Sequence, residues 1–361
     1  METDEMKALG LYDPERDDPP SRRELIQLLV DWGASREELV AYRDMLPALA
    51  GVLVFRGPGA MTLEQAAEQS GLGVDRLRRQ LRASGLPDPD PDAPVITEGF
   101  LAFATRADDV AALFGEETVP QILRVIGTAV ARMADALIST FLVHVEPAAR
   151  RKDPSGLEVA RANIEAAQLL PMVAPVVDAL LRQHLIAAQR SAAEDADLVG
   201  YETQDLMVGF VDLVGSTELG EQLDFRELGD VLTTFELVAS EMVTDAGGRV
   251  VKLLGDEVLF TVPDAGSGVG IALGLAASFA EHPTVPRARV GLAYGRVMLR
   301  DGDVFGPVVN LASRVVDEAD PAEVLATAEV AALAGCRSEP AGHRQIKGVE
   351  GDVELRRVLG R

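Results

Sequence analysis

Val208-Gly-Phe-Val-Asp-Leu-Val-Gly-Ser-Thr217 is an apolar run that ends on an acid, then on glycine and hydroxyl residues. It reads as a buried strand, Met207 to Val211, with Asp212 where the strand stops. Lys252-Leu-Leu-Gly-Asp-Glu257 repeats the arrangement and carries Asp256. A carboxylate after an apolar strand is costly unless paired or metal-bound. Two such carboxylates beside N–H-rich backbone make a place for divalent metal and phosphate. A third run, Asp303-Val-Phe-Gly-Pro-Val-Val-Asn310-Leu-Ala-Ser-Arg314, sets Asn310 and Arg314 four apart, on one helix face.

Around these runs the hydrophobic period alternates between strand and helix. Residues 217–246 read as helix, ending at Gly247-Gly248. Residues 249–254 and 257–262 read as a hairpin through Gly255-Asp256. Residues 264–281 form a helix, and 289–294 and 296–300 two strands around Gly295. A helix over 305–319 and strands at 324–327, 344–347 and 353–358 complete the pattern. The order β-α-β-β-α-β predicts an α+β, ferredoxin-like domain over 207–361, its sheet covered on one face by helices.

Residues 1–190 contain only helical periodicity. Leu25, Leu28, Leu29, Leu39, Tyr42 and Leu46 recur at helical spacing, and long apolar helices follow over 118–149 and 156–185. Helices apolar over so much of their circumference are deeply buried or pack on a second copy. This predicts an all-α, dimerising regulatory domain. Residues 191–206 are a linker, polar and Ala-rich enough to be helical. His144 and His184 fall in or near the long helices. Each reads first as a buried, hydrogen-bonded histidine; a proton or a small apolar ligand are the regulators such helices allow. Residues 61–86 have the shape of a helix-turn-helix, with Gly71 in the turn and Arg76, Arg78 and Arg79 on the second helix. The bland reading is a helical hairpin inside the all-α domain.

The 361 residues carry a formal net charge of -24, which opposes nucleic acid and anionic membrane surfaces. One cysteine, Cys336, allows neither an internal disulfide nor a thiolate metal cage. The N-terminus lacks a signal-peptide pattern, and no run reads as a membrane span. The expected location is the cytoplasm.

The three runs together resemble the signature motifs of class III nucleotidyl cyclases. The resemblance spans about 205–361, and the whole layout resembles actinobacterial adenylate cyclases with an N-terminal helical regulatory domain. It implies that Asp212, Asp256 and the backbone of Leu213 bind two divalent ions, Mg²⁺ or Mn²⁺. It implies that Lys252 and Asp303 select adenine and that Asn310 and Arg314 stabilise the transition state. Lys347 and the backbone of Leu213, Val214, Gly215, Ser216 and Thr217 would hold the triphosphate. It further implies conversion of ATP to cyclic AMP and pyrophosphate in a head-to-tail homodimer, with the sites shared between chains. The helical domain is then expected to inhibit. The alternative is a helix-turn-helix transcription regulator whose C-terminal half senses a nucleotide.

Overall fold

A computed structural model of the chain describes residues 1–13, 15, 19–56, 59–194, 203–347, 349 and 351–360, the side chains of Pro19, of 190–194 and of Thr217 excepted. The chain divides into two compact units, Met1–Glu194 and Asp195–Arg361.

The first unit runs α1 (Thr3–Ala8), α2 (Pro19–Asp31), α3 (Arg36–Ala41), α4 (Leu46–Phe55), α5 (Leu63–Ser70), α6 (Val74–Ala83), α7 (Glu98–Phe114), α8 (Thr118–Thr140), α9 (Glu146–Lys152), α10 (Leu157–Ala167) and α11 (Val173–Glu194). Leu25, Ile26, Leu29, Leu49 and Ile164 share one core, and Leu63, Leu77, Leu81 and Leu101 another. Thr62 and Gln65 start α5 with a reciprocal capping box, and Gly71 ends it at φ +73°. On α6, Arg76 is held by both carboxylate oxygens of Asp108 (3.1 and 2.7 Å). Arg78 pairs with Asp75 at 3.0 Å, and Arg82 pairs with Asp88. Arg76 and Arg78, two of the three arginines of the helix-turn-helix reading, are thus paired within the chain, while Arg79 is exposed.

Two expectations fail in the long helices. His144, in a π-helical turn between α8 and α9, and His184, on α11, are exposed. Two segments, Thr118–Lys152 and Leu157–Gln189, are also long and apolar enough to cross a membrane, by length and composition alone. Their apolar residues are spread among Arg124, Arg132, Asp135, Asp178 and Arg182, so no single uninterrupted run announces them. Of the expected linker 191–206, residues 191–194 finish α11 and 203–206 begin the next strand; 195–202 lie outside the described residues.

The second unit runs β1 (Thr203–Leu213), α12 (Ser216–Gln222), α13 (Phe225–Asp245), β2 (Arg249–Leu253), β3 (Glu257–Val262), α14 (Ala265–Ala280), β4 (Ala288–Arg300), β5 (Asp303–Phe305), α15 (Pro307–Asp317), β6 (Val324–Thr327), α16 (Ala328–Ala334), β7 (Arg337–Gln345) and β8 (Asp352–Gly360). The sheet order is β2-β3-β1-β4-β6-β8-β7, with β5 paired to β4. The first four strands keep the ferredoxin-like order. The helix expected over 217–246 breaks into α12 and α13, because Asp224 and Glu227 form a capping box that starts a new helix. The two strands expected around Gly295 are one long β4, paired with β1 from Ala288 to Met298.

The sheet is covered on both faces, not one. Met207, Val211 and Leu213 share a core with residues of α13, α14 and α16. Leu206, Val208 and Phe210, on the opposite face, pack with Ala312 and Val316 of α15. Gly291 makes that second layer possible. A Cβ there would lie 2.2 Å from Val316 N and 2.7 Å from Ala312 O, so only glycine lets α15 rest on β4.

Candidate active site

Register brings three charged side chains into one row. Asp212 on β1 is the cross-strand partner of Glu257 on β3 and of Arg289 on β4. Residues of equal parity face the same way, so the row lies on the α15 side of the sheet. Asp256 sits one residue before Glu257, in the β2–β3 turn that Gly255 closes at φ +78°. The turn is tied down when the Leu213 amide donates to Asp256 O at 3.0 Å, and Ser216 Oγ donates to the Asp256 carboxylate. Asp212, Asp256 and Glu257, with Asp317 from the end of α15, line a cleft of about 480 Å³ with the Gly215-Ser216 turn. A cleft of equal volume lies between α14 and the β6–β8 strands, where Glu323 and Arg357 pair with each other. It gathers no comparable cluster of acids.

With Glu218, five carboxylates therefore line a cleft that holds one guanidinium, that of Arg289. Arg289 donates through Nε to Asp212 Oδ2 (2.8 Å), while its Nη2 lies 2.6 Å from the same oxygen. Burial pushes the Asp212 carboxyl above its ordinary pKa; Arg289 opposes the rise, and Asp256 and Asp317 add to it. Glu257 rises further, to about 7, first through burial and then through Asp212, Asp317 and Asp256.

This shift has a consequence for stability. A carboxyl that titrates near 4.5 unfolded and near 7 folded holds its proton longer in the fold. Between those values the unfolded chain binds fewer protons, so stability falls as pH rises. The cost is absent below pH 4.5 and complete above 7; solvent screening at this half-buried side chain keeps it on the order of 1 kcal/mol. Glu257→Gln is therefore expected to raise the melting temperature of metal-free protein at pH 8 and to leave it nearly unchanged at pH 5. Equal shifts at both pH values in a thermal melt with chelator would refute the assignment.

The cleft suits a divalent cation by its donor set. No three His, Cys, Asp or Glu side chains form a closed metal cage among the described residues. Mg²⁺ seldom uses one; it takes one or two carboxylates and completes its shell with water and substrate phosphates. Asp212 and Asp256 offer that open arrangement. The amides of Leu213 and Val214 donate to Asp256 O and Arg287 O (3.0 and 2.9 Å), so both are already committed. Of the 213–217 backbone expected to hold phosphate, those two amides are therefore already occupied.

A second pair forms elsewhere on the sheet. Lys252 Nζ on β2 lies 2.5 Å from Asp303 Oδ2 on β5, so two residues 51 positions apart become one donor–acceptor pair. Asn310 and Arg314 are exposed on α15, and among the described residues neither side chain has a hydrogen bond or ion pair. Lys347 is exposed in the turn that follows β7. Motif reading had reached all of these except Arg289, Glu257 and Asp317 as site residues. Pairing the strand that starts at Arg289 against Asp212 would have found the first.

Residues 10–188 match the family described as "Adenylate cyclase regulatory domain". An adenylate cyclase of Streptomyces coelicolor is 36% identical over 283 residues, covering 77% of this chain and 72% of that protein. One from Streptomyces griseus is 36% identical over 290 residues, covering 78% and 70%. An uncharacterised protein of Mycobacterium tuberculosis is 33% identical over 339 residues, covering 91% and 86%. Among solved structures, the adenylyl cyclase CyaB of P. aeruginosa matches 44% of this chain and 97% of its own, at 24% identity and a TM-score of 0.41.

Proposed function

The chain belongs to the adenylate cyclases that carry a helical regulatory domain, and from that premise we propose how it performs and controls the reaction. The ribose 3′-oxygen of ATP attacks the α-phosphorus, the bond to the β,γ-pyrophosphate breaks, and the 3′-hydroxyl proton passes to solvent water. No covalent intermediate is needed, so the protein contributes positioning and electrostatics. Asp212 and Asp256 would hold two Mg²⁺ or Mn²⁺ ions. When bound, such ions lower the cost of forming the attacking oxyanion and of releasing the pyrophosphate. The Gly215-Ser216 turn faces the phosphates from the mouth of the same cleft, with Lys347 a further contact to the triphosphate. Asn310 orients the ribose, and Arg314 neutralises charge developing on phosphorus.

The observation that carries this reading is the division of parts within one chain. One edge of the fold is rich in carboxylates. Asn310 and Arg314 stand exposed on α15, without partners among the described residues, and Leu253, Leu254 and Phe305 beside the site residues are at least 43% exposed. Such a division is what a head-to-tail homodimer would use, one chain giving Asp212 and Asp256 and the other giving Lys252, Asp303, Asn310 and Arg314.

The helical unit supports a dimer as well. Val130, Leu137, Val143, Leu180, Leu181 and Leu185 are each at least half exposed, or more, along α8, α11 and the turn after α8. The same helices carry Arg124, Arg132, Asp135 and the Asp178–Arg182 ion pair. A charged side chain at a bilayer centre costs about 2.5–3.5 kcal/mol, so a second copy of the chain is the better cover than lipid. On that ground the proposed location is the cytoplasm. Because shared sites need two catalytic units correctly faced, a dimerising helical domain can restrain the cyclase by setting that geometry.

Adenine selection offers a direct test. Asp303 accepts from the exocyclic amine, and Lys252 donates to a ring nitrogen. Lys252→Ala and Asp303→Ala are each expected to lower kcat/KM for ATP by about 10- to 100-fold while GTP turnover changes much less. Equal losses with both nucleotides in a steady-state assay would remove the pair from base reading.

A further inference from the structure

β2 carries an extra residue. Arg249 is the cross-strand partner of Thr261, and Lys252 is that of Leu259, so β2 bulges at Val251. Residues three apart on a regular strand face opposite ways. The bulge cancels that alternation, and Arg249 and Lys252 share one face. It is the face on which Leu259 packs with Ala312 and Val316 of α15.

Both side chains then reach one hairpin. Asp301 and Gly302 join β4 to β5 with left-handed backbone (φ +55° and +82°), as a tight two-residue turn requires. Lys252 Nζ lies 2.5 Å from Asp303 Oδ2. Arg249 Nη2 donates to Gly302 O, one residue earlier, at 2.6 Å. Asp303 Oδ1 accepts from the Val304 amide at 2.8 Å, which sets the rotation of the carboxylate. β5 takes its backbone partner from β4, so side chains make its tie to β2. The two ties differ when a base arrives. Lys252 and Asp303 have to turn their polar atoms from each other to the ring, and the ion pair opens. The bond from Arg249 to Gly302 uses no atom that the base needs. It remains to hold β2 and the hairpin at the spacing where one donor and one acceptor meet one base.

We infer that Arg249 is a positioning residue for base selection, fixing the separation of Lys252 and Asp303 by fastening β2 to the β4–β5 turn. This rests on the base-reading role given to that pair above. Arg249 acts through the Gly302 carbonyl and touches no substrate. An exposed arginine that only decorated the surface would contribute little and would not tell one base from another.

The test uses full-length protein, with Lys252→Ala and Asp303→Ala as references. Arg249→Ala is expected to lower kcat/KM about fivefold for ATP and by less than about twofold for GTP. The loss should fall on KM while kcat holds, because the base is gripped alike in the ground and transition states. The contact is one donor to one carbonyl oxygen, which an ammonium also makes, so Arg249→Lys should return the ATP-to-GTP ratio to within about twofold of wild type. In an Asp303→Ala background, where no pair is left to space, adding Arg249→Ala should move the ratio no further. An unchanged ratio in Arg249→Ala, equal losses with both nucleotides, or the same loss persisting without Asp303 overturns the inference. If Lys252→Ala and Asp303→Ala themselves leave the ratio unchanged, the base reading has failed and the inference falls with it. If those two move the ratio and Arg249→Ala does not, the inference alone fails. Hydrogen exchange in nucleotide-free protein reads the geometry apart from catalysis. The Val304 amide should exchange faster in Arg249→Ala than in wild type and at close to the wild-type rate in Arg249→Lys. Unchanged exchange in Arg249→Ala overturns the fastening.

Discussion

Mixing Asp212→Ala chains with Arg314→Ala chains is expected to restore cyclase activity that neither variant shows alone. Asp212→Ala removes one of two carboxylates that would hold the metal ions. Arg314→Ala removes the charge that meets the transition state. Each loss is expected to cost about 10²- to 10³-fold in kcat, the scale seen when one preorganised electrostatic group is deleted. If chains exchange freely, half the dimers are mixed, and each mixed dimer has one intact site of two. Recovery should approach about a quarter of wild-type activity, which follows from two-fold symmetry alone. A mixture that stays inactive, while labelled chains are seen to exchange, would show that each chain carries its own complete site.

The second large effect concerns control. A chain beginning near Ala193, without α1–α10 and most of α11, is expected to turn over ATP faster than the full protein. Coupling between a regulatory and a catalytic unit is typically worth 5- to 150-fold, and an increase in that range is expected here. The comparison has to be made across protein concentration. The exposed apolar stripes on α8 and α11 would also help bring two chains together, so the short form should need more protein to reach its full rate. A short form that is slower than the full chain at every concentration would mean that the helical unit builds the dimer and does not restrain it.

Much of this site was legible in the sequence because its chemistry is local. Asp212 and Asp256 each announce themselves by standing at the end of an apolar strand beside glycine. Asn310 and Arg314 need only the helical period to share a face. The Lys252–Asp303 contact was harder, since nothing between residues 252 and 303 shows that β5 comes back to β2. Arg289, Glu257 and Asp317 were not legible as site residues, because their roles depend on register. A slip of one residue in the β1–β4 pairing would send Arg289 to the other face. The fold shows the same boundary. The β-α-β-β-α-β order was readable from periodicity, but Gly291, which seats α15 on the second face, looked like any glycine in a strand. The capping box at Asp224 and Glu227 was readable and divides a helix that periodicity alone would run on. The apolar surfaces of α8 and α11 pointed equally to a buried core and to a second copy; their exposure in the folded chain removes the buried core.

The most direct test is the product made by the full-length protein from ATP, with GTP run in parallel, in Mg²⁺ and in Mn²⁺. The expected result is cyclic AMP and pyrophosphate in equal amounts, with little cyclic GMP and no product when chelator is present. ATP bound without turnover in either metal, under conditions where Lys252→Ala weakens that binding, would contradict it, because the base pair would then serve a nucleotide sensor rather than a cyclase.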